Sequence, residues 1–159
     1  MKGTVIFDFD DTLADTVSFK AALSAAPHPD VVVGRMADFV FPSAENVLKR
    51  LKSSGWTLAL MTFGDPAWQE RKVVRSGLLP YFDHVLYTSV PKETRLAELR
   101  AWPRPLVFVD DHGAELDALK RALPDARLIA VRGPKPAPLD PKVPVCDGLE
   151  GVYGILSGL

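Results

Sequence analysis

Three aspartates follow the first apolar run of the sequence. Residues 5–7 are Val-Ile-Phe. Asp8 follows them directly, and Asp10 and Asp11 come after the intervening Phe9. Side chains two residues apart in an extended chain point to the same side, so Asp8 and Asp10 can face one site. Neighbouring carboxylates repel each other and need a cation or a shared proton. A hard cation such as Mg²⁺ is the natural partner for their oxygens.

A second apolar run ends in the same way. Residues 106–109 are Leu-Val-Phe-Val, and Asp110 and Asp111 follow them. If the two runs are neighbouring strands, four carboxylates converge on one point and can hold a metal ion. The simpler interpretation is that each acid caps the helix that follows its strand. Capping explains one acid at each strand end and does not easily explain two pairs, so the metal interpretation is favoured.

The elements that position these carboxylates are predicted to be parallel strands. Continuous apolar runs predict strands over Thr4 to Phe9, Thr57 to Met61, His84 to Tyr87, Leu106 to Val109 and Arg127 to Val131. Such runs are typical of strands that are covered on both faces. Ligands of open parallel sheets bind beyond the carboxyl ends of the strands, where the aspartates lie.

Helical patterns alternate with the strands. We expect helices over Ser43 to Ser53, Pro66 to Ser76, Pro91 to Trp102 and Gly113 to Leu123, and a closing helix or turn after Asp147. Strands that alternate with helices predict βαβ units. The fold class is therefore α/β, a three-layer α/β/α Rossmann-like domain with a central parallel sheet of about five strands.

Two segments do not follow this alternation. Between the first strand and the next helix, a short helix is expected over Phe19 to Ala26, a turn over Pro27 to Asp30 and a short strand over Val31 to Val33. The segment from Gly133 to Pro144 holds five prolines and is expected to cross the surface in an extended form.

The bulk composition excludes several classes of protein. The 159 residues include 19 basic and 20 acidic residues, so the basic excess of a duplex nucleic-acid binder is absent. The single Cys146 cannot form an internal disulfide. No apolar run reaches the roughly 18 residues that cross a membrane, and no signal peptide is apparent. We expect a cytoplasmic protein without nucleic-acid or membrane partners.

The residues from Val5 to Leu13 resemble the first motif of the haloacid dehalogenase-like superfamily, an apolar strand followed by Asp-x-Asp-x-Thr. Three further motifs follow in the expected order. Leu58 to Thr62 resembles the second, Lys92 the third, and Phe108 to Asp111 the fourth. The resemblance spans residues 4 to about 131.

The resemblance implies a phosphatase. Asp8 would attack the phosphorus of a phosphate monoester and form an aspartyl-phosphate. Asp10 would protonate the leaving oxygen and then deprotonate the attacking water. The dehalogenase branch of the superfamily has no acid two residues after the nucleophile, so Asp10 favours phosphate chemistry. Asp11 is interpreted as a spacer.

The resemblance also implies the metal ligands. Mg²⁺ would be held by the side chains of Asp8 and Asp110 and by the backbone carbonyl of Asp10. Asp111 would be a further ligand, directly or through water.

A third implication concerns phosphate. The hydroxyl of Thr62 and the backbone N–H groups of Phe63 and Gly64 would bind phosphate oxygens. Lys92 would balance the charge on Asp8 and the phosphate, with Arg95 as the fallback cation. His112 and Trp68 are considered for substrate contact, although a capping histidine and a packing tryptophan are the simpler interpretations.

A single domain is expected over residues 1–159, with a short cap-like insertion at about 13–41. Such a small cap suits either a large substrate or a cap supplied by another subunit. The expected partner is a phosphorylated substrate, small or macromolecular, and the oligomeric state is open. Three alternatives are a phosphoryl-accepting receiver module, a phosphomutase on the same fold, and a catalytically silent binding module.

Overall fold

The computed structural model describes residues 1–159 and contains one sheet of six parallel strands. The strands are β1 (Thr4–Phe7), β2 (Thr57–Phe63), β3 (His84–Thr88), β4 (Leu106–Asp110), β5 (Arg127–Val131) and β6 (Val145–Cys146). Their order across the sheet is β3-β2-β1-β4-β5-β6, the doubly wound order of Rossmann-like folds. The five predicted strands are confirmed, and the two-residue β6 is an addition to them.

Helices cover both faces of the sheet. They are α1 (Thr16–Ala25), α2 (Pro29–Val33), α3 (Ala44–Ser53), α4 (Pro66–Ser76), α5 (Leu96–Ala101), α6 (Gly113–Ala122) and α7 (Leu149–Ser157). A core of 26 buried residues joins one face of the sheet to α3 and α7, and a core of 12 joins the other face to α5 and α6. The predicted three-layer architecture is therefore confirmed.

The central strand β1 shows how the sequence produces this arrangement. Val5 and Phe7 pack in the larger core, whereas Ile6, which points to the other face, packs in the smaller one. Phe7 is paired with Val109 of β4, so both strands end at the same level. The backbone N–H of Asp8 donates to the carbonyl of Val109 at 3.0 Å. The aspartates that follow β1 and those that follow β4 therefore lie side by side, as a shared site requires.

Helix α4 begins and ends where the sequence predicts. Pro66 occupies its first turn, and the Asp65 carboxylate before it accepts hydrogen bonds from the N–H groups of Ala67 and Trp68 at 2.9 and 3.3 Å. These contacts satisfy donors that the first turn leaves free. The helix ends at Gly77, which adopts a left-handed conformation.

Two local predictions are wrong. Val31 to Val33, predicted as a strand from three β-branched residues, form the end of α2, because Pro29 starts a helical turn and no strand lies beside them. The helix predicted from Pro91 to Trp102 is divided at Arg95, whose ψ of 46° is not helical. A short 3-10 turn, Lys92–Thr94, precedes the break and α5 follows it.

The insertion between β1 and α3 is closed at its base. The N–H of Asp15 donates to the carbonyl of Phe39 at 2.7 Å, and the N–H of Phe41 donates to the carbonyl of Leu13 at 2.9 Å. Inside it, the ring of Phe19 packs against Phe39, with ring centroids 5.5 Å apart. The insertion is thus a small packed unit beside α4, and its role as a cap stays a prediction.

The proline-rich segment 133–144 runs between β5 and β6 without helix or strand, as expected for an extended crossing. No helix of the protein combines the length and the apolar character needed to span a membrane.

Candidate active site

Three aspartates meet where β1 and β4 end. Asp8, Asp110 and Asp111 are all buried, and each offers a carboxylate oxygen within 4.8 Å of the others. The expected convergence of the two strand ends is thus present for three of the four carboxylates. The carboxylate of Asp10 lies outside this group and has partners of its own.

A buried lysine lies among these acids. The ammonium nitrogen of Lys92 is 2.9 Å from Oδ1 of Asp8 and 2.7 Å from Oδ2 of Asp110. A third acid, Glu115, has an oxygen 3.6 Å away. Burial alone would lower the pKa of Lys92, but Asp110, Asp8 and Glu115 raise that pKa well above its usual value. Lys92 is therefore held in its charged form beside Asp8, the residue that it was predicted to contact. Glu115 is a further member of this group, which the sequence did not indicate.

The aspartates carry more negative charge than Lys92 offsets. Burial, followed by the charge of Asp110, raises the pKa of Asp8 well above its usual value, although Lys92 opposes this. The same two causes raise the pKa of Asp111 to about 6. Oδ2 of Asp111 is buried and has no hydrogen-bond partner. A buried carboxylate oxygen without a partner is costly, and a cation would satisfy it.

Thr12 links two members of this group. Its hydroxyl is fully buried and lies 3.4 Å from Oδ2 of Asp8 and 3.4 Å from Oδ1 of Asp111. A hydroxyl has one proton to donate, so it can serve only one of the two carboxylates at a time. Thr12, the threonine of the first motif, therefore lies where its hydroxyl can orient the side chain of Asp8 or of Asp111.

Asp10 is held by a separate set of side chains. The Lys72 ammonium lies 2.5 Å and the Thr16 hydroxyl 2.7 Å from its Oδ1, and Nε2 of Gln69 lies 3.1 Å from its Oδ2. Burial alone would raise the pKa of Asp10. The charge and hydrogen bond of Lys72, helped by Thr16 and Gln69, lower it instead. The carboxylate of Asp10 is therefore held ionised, close to Asp8 in sequence but in a different environment.

The sequence analysis missed Lys72 and Gln69, although a signal was present. Both lie on the face of α4 that also carries Val73 and Ser76, and all four side chains are buried. A lysine one residue from the apolar Val73, and one turn from a glutamine, is unusual on a buried helix face. The four residues have the spacing i, i+3, i+4 and i+7, so they form one stripe along the helix, and Lys72 is the charged residue within it.

Gly64 allows Gln69 to reach Asp10. Its φ is 147°, and a Cβ built on it would lie 2.7 Å from Nε2 of Gln69. That same nitrogen also donates to the carbonyl of Phe63 at 2.9 Å. The turn after β2 therefore needs glycine for conformation and for space.

The groups that were expected to bind phosphate differ in their exposure and in their hydrogen bonds. The hydroxyl of Thr62 is fully buried and has no hydrogen-bond partner, and Thr62 does not line the cavity described below. Phe63 is 49% exposed and lines the cavity in front of Asp8. The N–H of Gly64, however, donates to the carbonyl of Thr88 at 2.9 Å. That hydrogen bond, which extends the β2–β3 pairing, corrects the expectation that the Gly64 N–H is available to phosphate.

Asp8 and Asp10 both line one cavity of about 410 Å³. This volume falls in the range of pockets that bind small molecules. His112 also lines the cavity, with Nδ1 3.6 Å from Oε2 of Glu115. Trp68 does not line it. Its ring packs against Phe19 with centroids 6.3 Å apart, which agrees with the packing interpretation.

Comparison with known structures gives the same fold across the whole chain. A Burkholderia xenovorans protein assigned to the haloacid dehalogenase-like hydrolases superposes with a TM-score of 0.81 at 21% identity, covering 99% of this chain and 98% of that one. An L-2-haloacid dehalogenase from Xanthobacter autotrophicus, with chloropropionic acid covalently bound, gives 0.74 at 15% identity, covering 100% of both chains. A Thermotoga maritima protein assigned to the beta-phosphoglucomutases gives 0.72 at 17%, again with 100% of both covered.

At these identities the solved structures establish the fold and leave the reaction open. No curated protein matches the sequence. The family model for haloacid dehalogenase-like hydrolases matches residues 18–122, which is well over half of the chain and begins after the first motif. With that match and the six-stranded fold, this chain belongs to the haloacid dehalogenase-like hydrolases.

Proposed function

We propose that this protein is a magnesium-dependent phosphatase that hydrolyses phosphate monoesters through an aspartyl-phosphate on Asp8. The observation that carries the proposal is the excess of buried negative charge around that residue. Asp8, Asp110 and Asp111 lie together with one lysine, Lys92, to balance them. Such an excess calls for a further cation, and oxygen ligands suit Mg²⁺.

The side chains of Asp8, Asp110 and Asp111 would hold that ion, and the unpartnered oxygen of Asp111 fits this role. Bound Mg²⁺ would supply positive charge that offsets the repulsion between an anionic nucleophile and an anionic phosphate. Lys92, which contacts both Asp8 and Asp110, would contribute a second, permanent positive charge.

The reaction needs two proton transfers, and Asp10 is the group available for both. In the first step an oxygen of Asp8 bonds to phosphorus, the ester bond breaks, and the leaving oxygen takes a proton from Asp10. In the second step water attacks the phosphorus, Asp10 takes its proton, and phosphate leaves Asp8 as a free carboxylate. Lys72 favours the ionised form of Asp10, which is the form required in the second step. The first step needs the protonated form, so Asp10 has to take up a proton from solvent before the ester bond breaks, and the proton that it takes from water in the second step restores this form for the next turnover.

The alternatives have less support. A dehalogenase would need neither the acid at Asp10 nor the surplus of carboxylates around Asp8. A receiver module is disfavoured because the family match is to hydrolases. A phosphomutase would use the same residues, but no contact in this site favours transfer to a second hydroxyl over transfer to water.

The direct test is hydrolysis of a panel of phosphate monoesters with and without Mg²⁺. We expect phosphate release only with the metal, and none from Asp8→Asn, because an amide cannot attack phosphorus. Asp125→Asn, an exposed acid far from the cavity, is the matched control and should keep full activity. Full activity in Asp8→Asn would refute the role of this residue, and metal-independent turnover would refute the cofactor.

Asp10→Asn separates the two acids. We expect turnover to fall by about a hundredfold or more, the usual contribution of a positioned acid and base. Binding of Mg²⁺, followed by calorimetry, should remain, because the Asp10 side chain lies outside the three-carboxylate group. Unchanged turnover would remove Asp10 from the mechanism.

A further inference from the structure

The proline-rich segment 133–144, here called the strap, is fastened to the active-site end of α6. The N–H of Gly113, the first residue of α6, donates to the carbonyl of Pro136 at 3.1 Å. A Cβ built on Gly113 would lie 2.3 Å from the carbonyl carbon of Ala137, so the strap and the helix approach backbone to backbone. One turn further along α6, the Asp117 carboxylate accepts the N–H of Leu139 at 3.2 Å.

A third contact holds the strap at its beginning. Gly133 lies against the side chain of Asp111, so that a Cβ there would be 3.1 Å from Oδ2 of that residue. The contacts at 133, 136 and 139 are three residues apart, the repeat of an extended proline-rich chain. Because proline fixes φ, little freedom is left between these points. The strap is thus a fixed wall of the site and not a loose loop.

This wall brings one lysine to the cavity. Lys135 lies between the first two contacts and lines the cavity in front of Asp8. The other charged residues that line the cavity are five acids, Asp8, Asp10, Glu93, Asp111 and Glu115.

The other lysines of the site are already engaged. Lys92 is paired with Asp8 and Asp110, and Lys72 is paired with Asp10. Both are almost fully buried. Lys135 is exposed and makes no ion pair. Lys135 is the one lysine or arginine that lines the cavity, so a second negative group on a substrate would find an ammonium partner there.

We propose that Lys135 determines substrate specificity by binding a second anionic group, so that the substrates are small phosphate esters with a further carboxylate or phosphate. This inference rests on the proposed phosphatase function and adds the substrate class. The cavity of about 410 Å³ has room for a small molecule of this kind.

The test uses matched substrates. 3-Phosphoglycerate carries a carboxylate where glycerol 3-phosphate carries a hydroxymethyl group, and fructose 1,6-bisphosphate carries a second phosphate that fructose 1-phosphate lacks. We expect kcat/KM to be at least about tenfold higher for one or both of the doubly anionic esters, the worth of a hydrogen bond to a charged group. Which pair shows the preference identifies the second anion as carboxylate or phosphate.

Lys135→Met should remove this preference, mostly through KM, and leave kcat/KM for the singly phosphorylated partner within about twofold. Lys135→Arg should keep much of the preference, because arginine retains the positive charge. Lys142→Met is the control, because Lys142 lies on the same strap and does not line the cavity. Equal loss for both members of a pair would mean that Lys135 serves the reacting phosphate, and an unchanged preference would also overturn the proposal.

A binding measurement separates this inference from the proposed function. In Asp8→Asn, calorimetry with Mg²⁺ should show tighter binding of the doubly anionic ester, and Lys135→Met in that background should abolish the difference. If wild-type protein hydrolyses no ester, the phosphatase proposal fails while this comparison still tests Lys135. If the esters are hydrolysed and bind equally well, the inference about Lys135 fails alone.

Discussion

The two aspartates Asp8 and Asp10 are separated by a single residue, yet each belongs to a different half of the site. The Asp8 half consists of carboxylates from β1 and β4 that share Lys92, and negative charge is in excess there. The Asp10 half consists of one carboxylate with three donors from α1 and α4, and its charge is balanced by Lys72. The carboxylates of the first half could hold a cation, whereas the charge of the second half is already balanced.

This difference explains how two identical side chains can take different roles. The environments push the pKa of Asp8 up and the pKa of Asp10 down. Carboxyl groups whose pKa values are driven apart in this way are typical of active sites with divided roles. Removing Lys92 or Lys72 tests whether the two halves differ in charge as described. Measuring stability as a function of pH tests the opposite pKa shifts of their carboxyl groups.

Lys92→Met should have the largest effect. Its removal leaves the buried Asp8 and Asp110 and the partly exposed Glu115 without their counter-charge, and breaking a buried ion pair from one side costs about 3–5 kcal/mol. We expect the free energy of unfolding without Mg²⁺, measured by urea denaturation, to fall by about that amount. Added Mg²⁺ should restore part of it, because the ion would replace the missing charge. Hydrolysis should fall by at least about a thousandfold.

The control for this change is Lys49→Met, which breaks an exposed pair with Glu45 and should cost about 1 kcal/mol or less. A Lys92→Met protein that loses no more stability than this control would show that the Asp8 half is not charge-dependent.

The next largest effect concerns pH. In the metal-free protein the pKa of Asp111 is raised from 3.8 to about 6. Between these values the folded state keeps a proton that the unfolded state has released, so stability falls as pH rises through this window. A rise of this size corresponds to about 3 kcal/mol. Asp8 acts in the same direction. Asp10, whose pKa is lowered, stabilises the fold above about pH 4, and this contribution is lost as pH falls further.

Asp111→Asn isolates this effect. At pH 7 without Mg²⁺ the variant should be more stable than the wild type by up to about 3 kcal/mol, and its stability should change less between pH 4 and 6. Chemical denaturation across this range is the measurement. Added Mg²⁺ should stabilise the wild type more than the variant. If the variant were less stable than the metal-free wild type, the carboxylates around Asp8 would not carry an excess of negative charge.

Lys72→Met should have an intermediate effect. The ammonium lies among the rings of Phe9 and Phe19, at 5.7 and 5.8 Å from their centroids, and is almost fully buried. Asp10 is partly exposed, so solvent can replace some of the lost interaction. We expect a loss of about 1–3 kcal/mol in stability. Turnover should fall by about tenfold to a hundredfold with a smaller change in KM, because Asp10 would lose its position and not its chemistry.

Lys20→Met serves as the control, since Lys20 lies exposed on α1. Steady-state kinetics in which Lys72→Met matches Lys20→Met would show that the Asp10 half does not depend on its lysine.

The smallest effect is expected at the edge of the Asp10 half. Asp30 of α2 pairs with Arg71 of α4, and both side chains are largely exposed. Asp30→Asn should change the free energy of unfolding by less than about 1 kcal/mol and leave turnover unchanged. A large loss of turnover would instead mean that this contact, and not the packing of Phe19 against Trp68, fixes the insertion beside the site.

The sequence predicted the Asp8 half well and the Asp10 half poorly, for a physical reason. Asp8 and Asp110 are fixed by strands whose continuous apolar character is visible in the sequence, and neighbouring parallel strands deliver their ends to one place. Lys72 and Gln69 come from the middle of a helix with polar residues on several sides, where a lysine is usually solvated. The packing of α4 against both the insertion and strands β2 and β3 makes that face an interior one.

The remaining errors have a similar origin. Three consecutive valines favour a strand by propensity, but Val31 to Val33 have no strand to pair with and follow a proline that starts a turn of helix. The N–H of Gly64 was expected to bind phosphate because it lies in the loop after β2, yet the ladder to β3 continues through it. Lys135 carried no signal, since nothing in a proline-rich segment indicates which surface it will cover.

The attachment of the strap has an evolutionary consequence. Its hydrogen bonds to α6 use main-chain atoms of Pro136 and Leu139, so the identities of neighbouring side chains, including Lys135, have little influence on whether it stays in place. Replacements at Lys135 can therefore accumulate in a lineage without loss of the fold or of the catalytic carboxylates. The opposite holds for Gly113, where any side chain would collide with Ala137. A descendant of this protein could exchange one substrate for another by changing the strap, provided that it inherits that glycine.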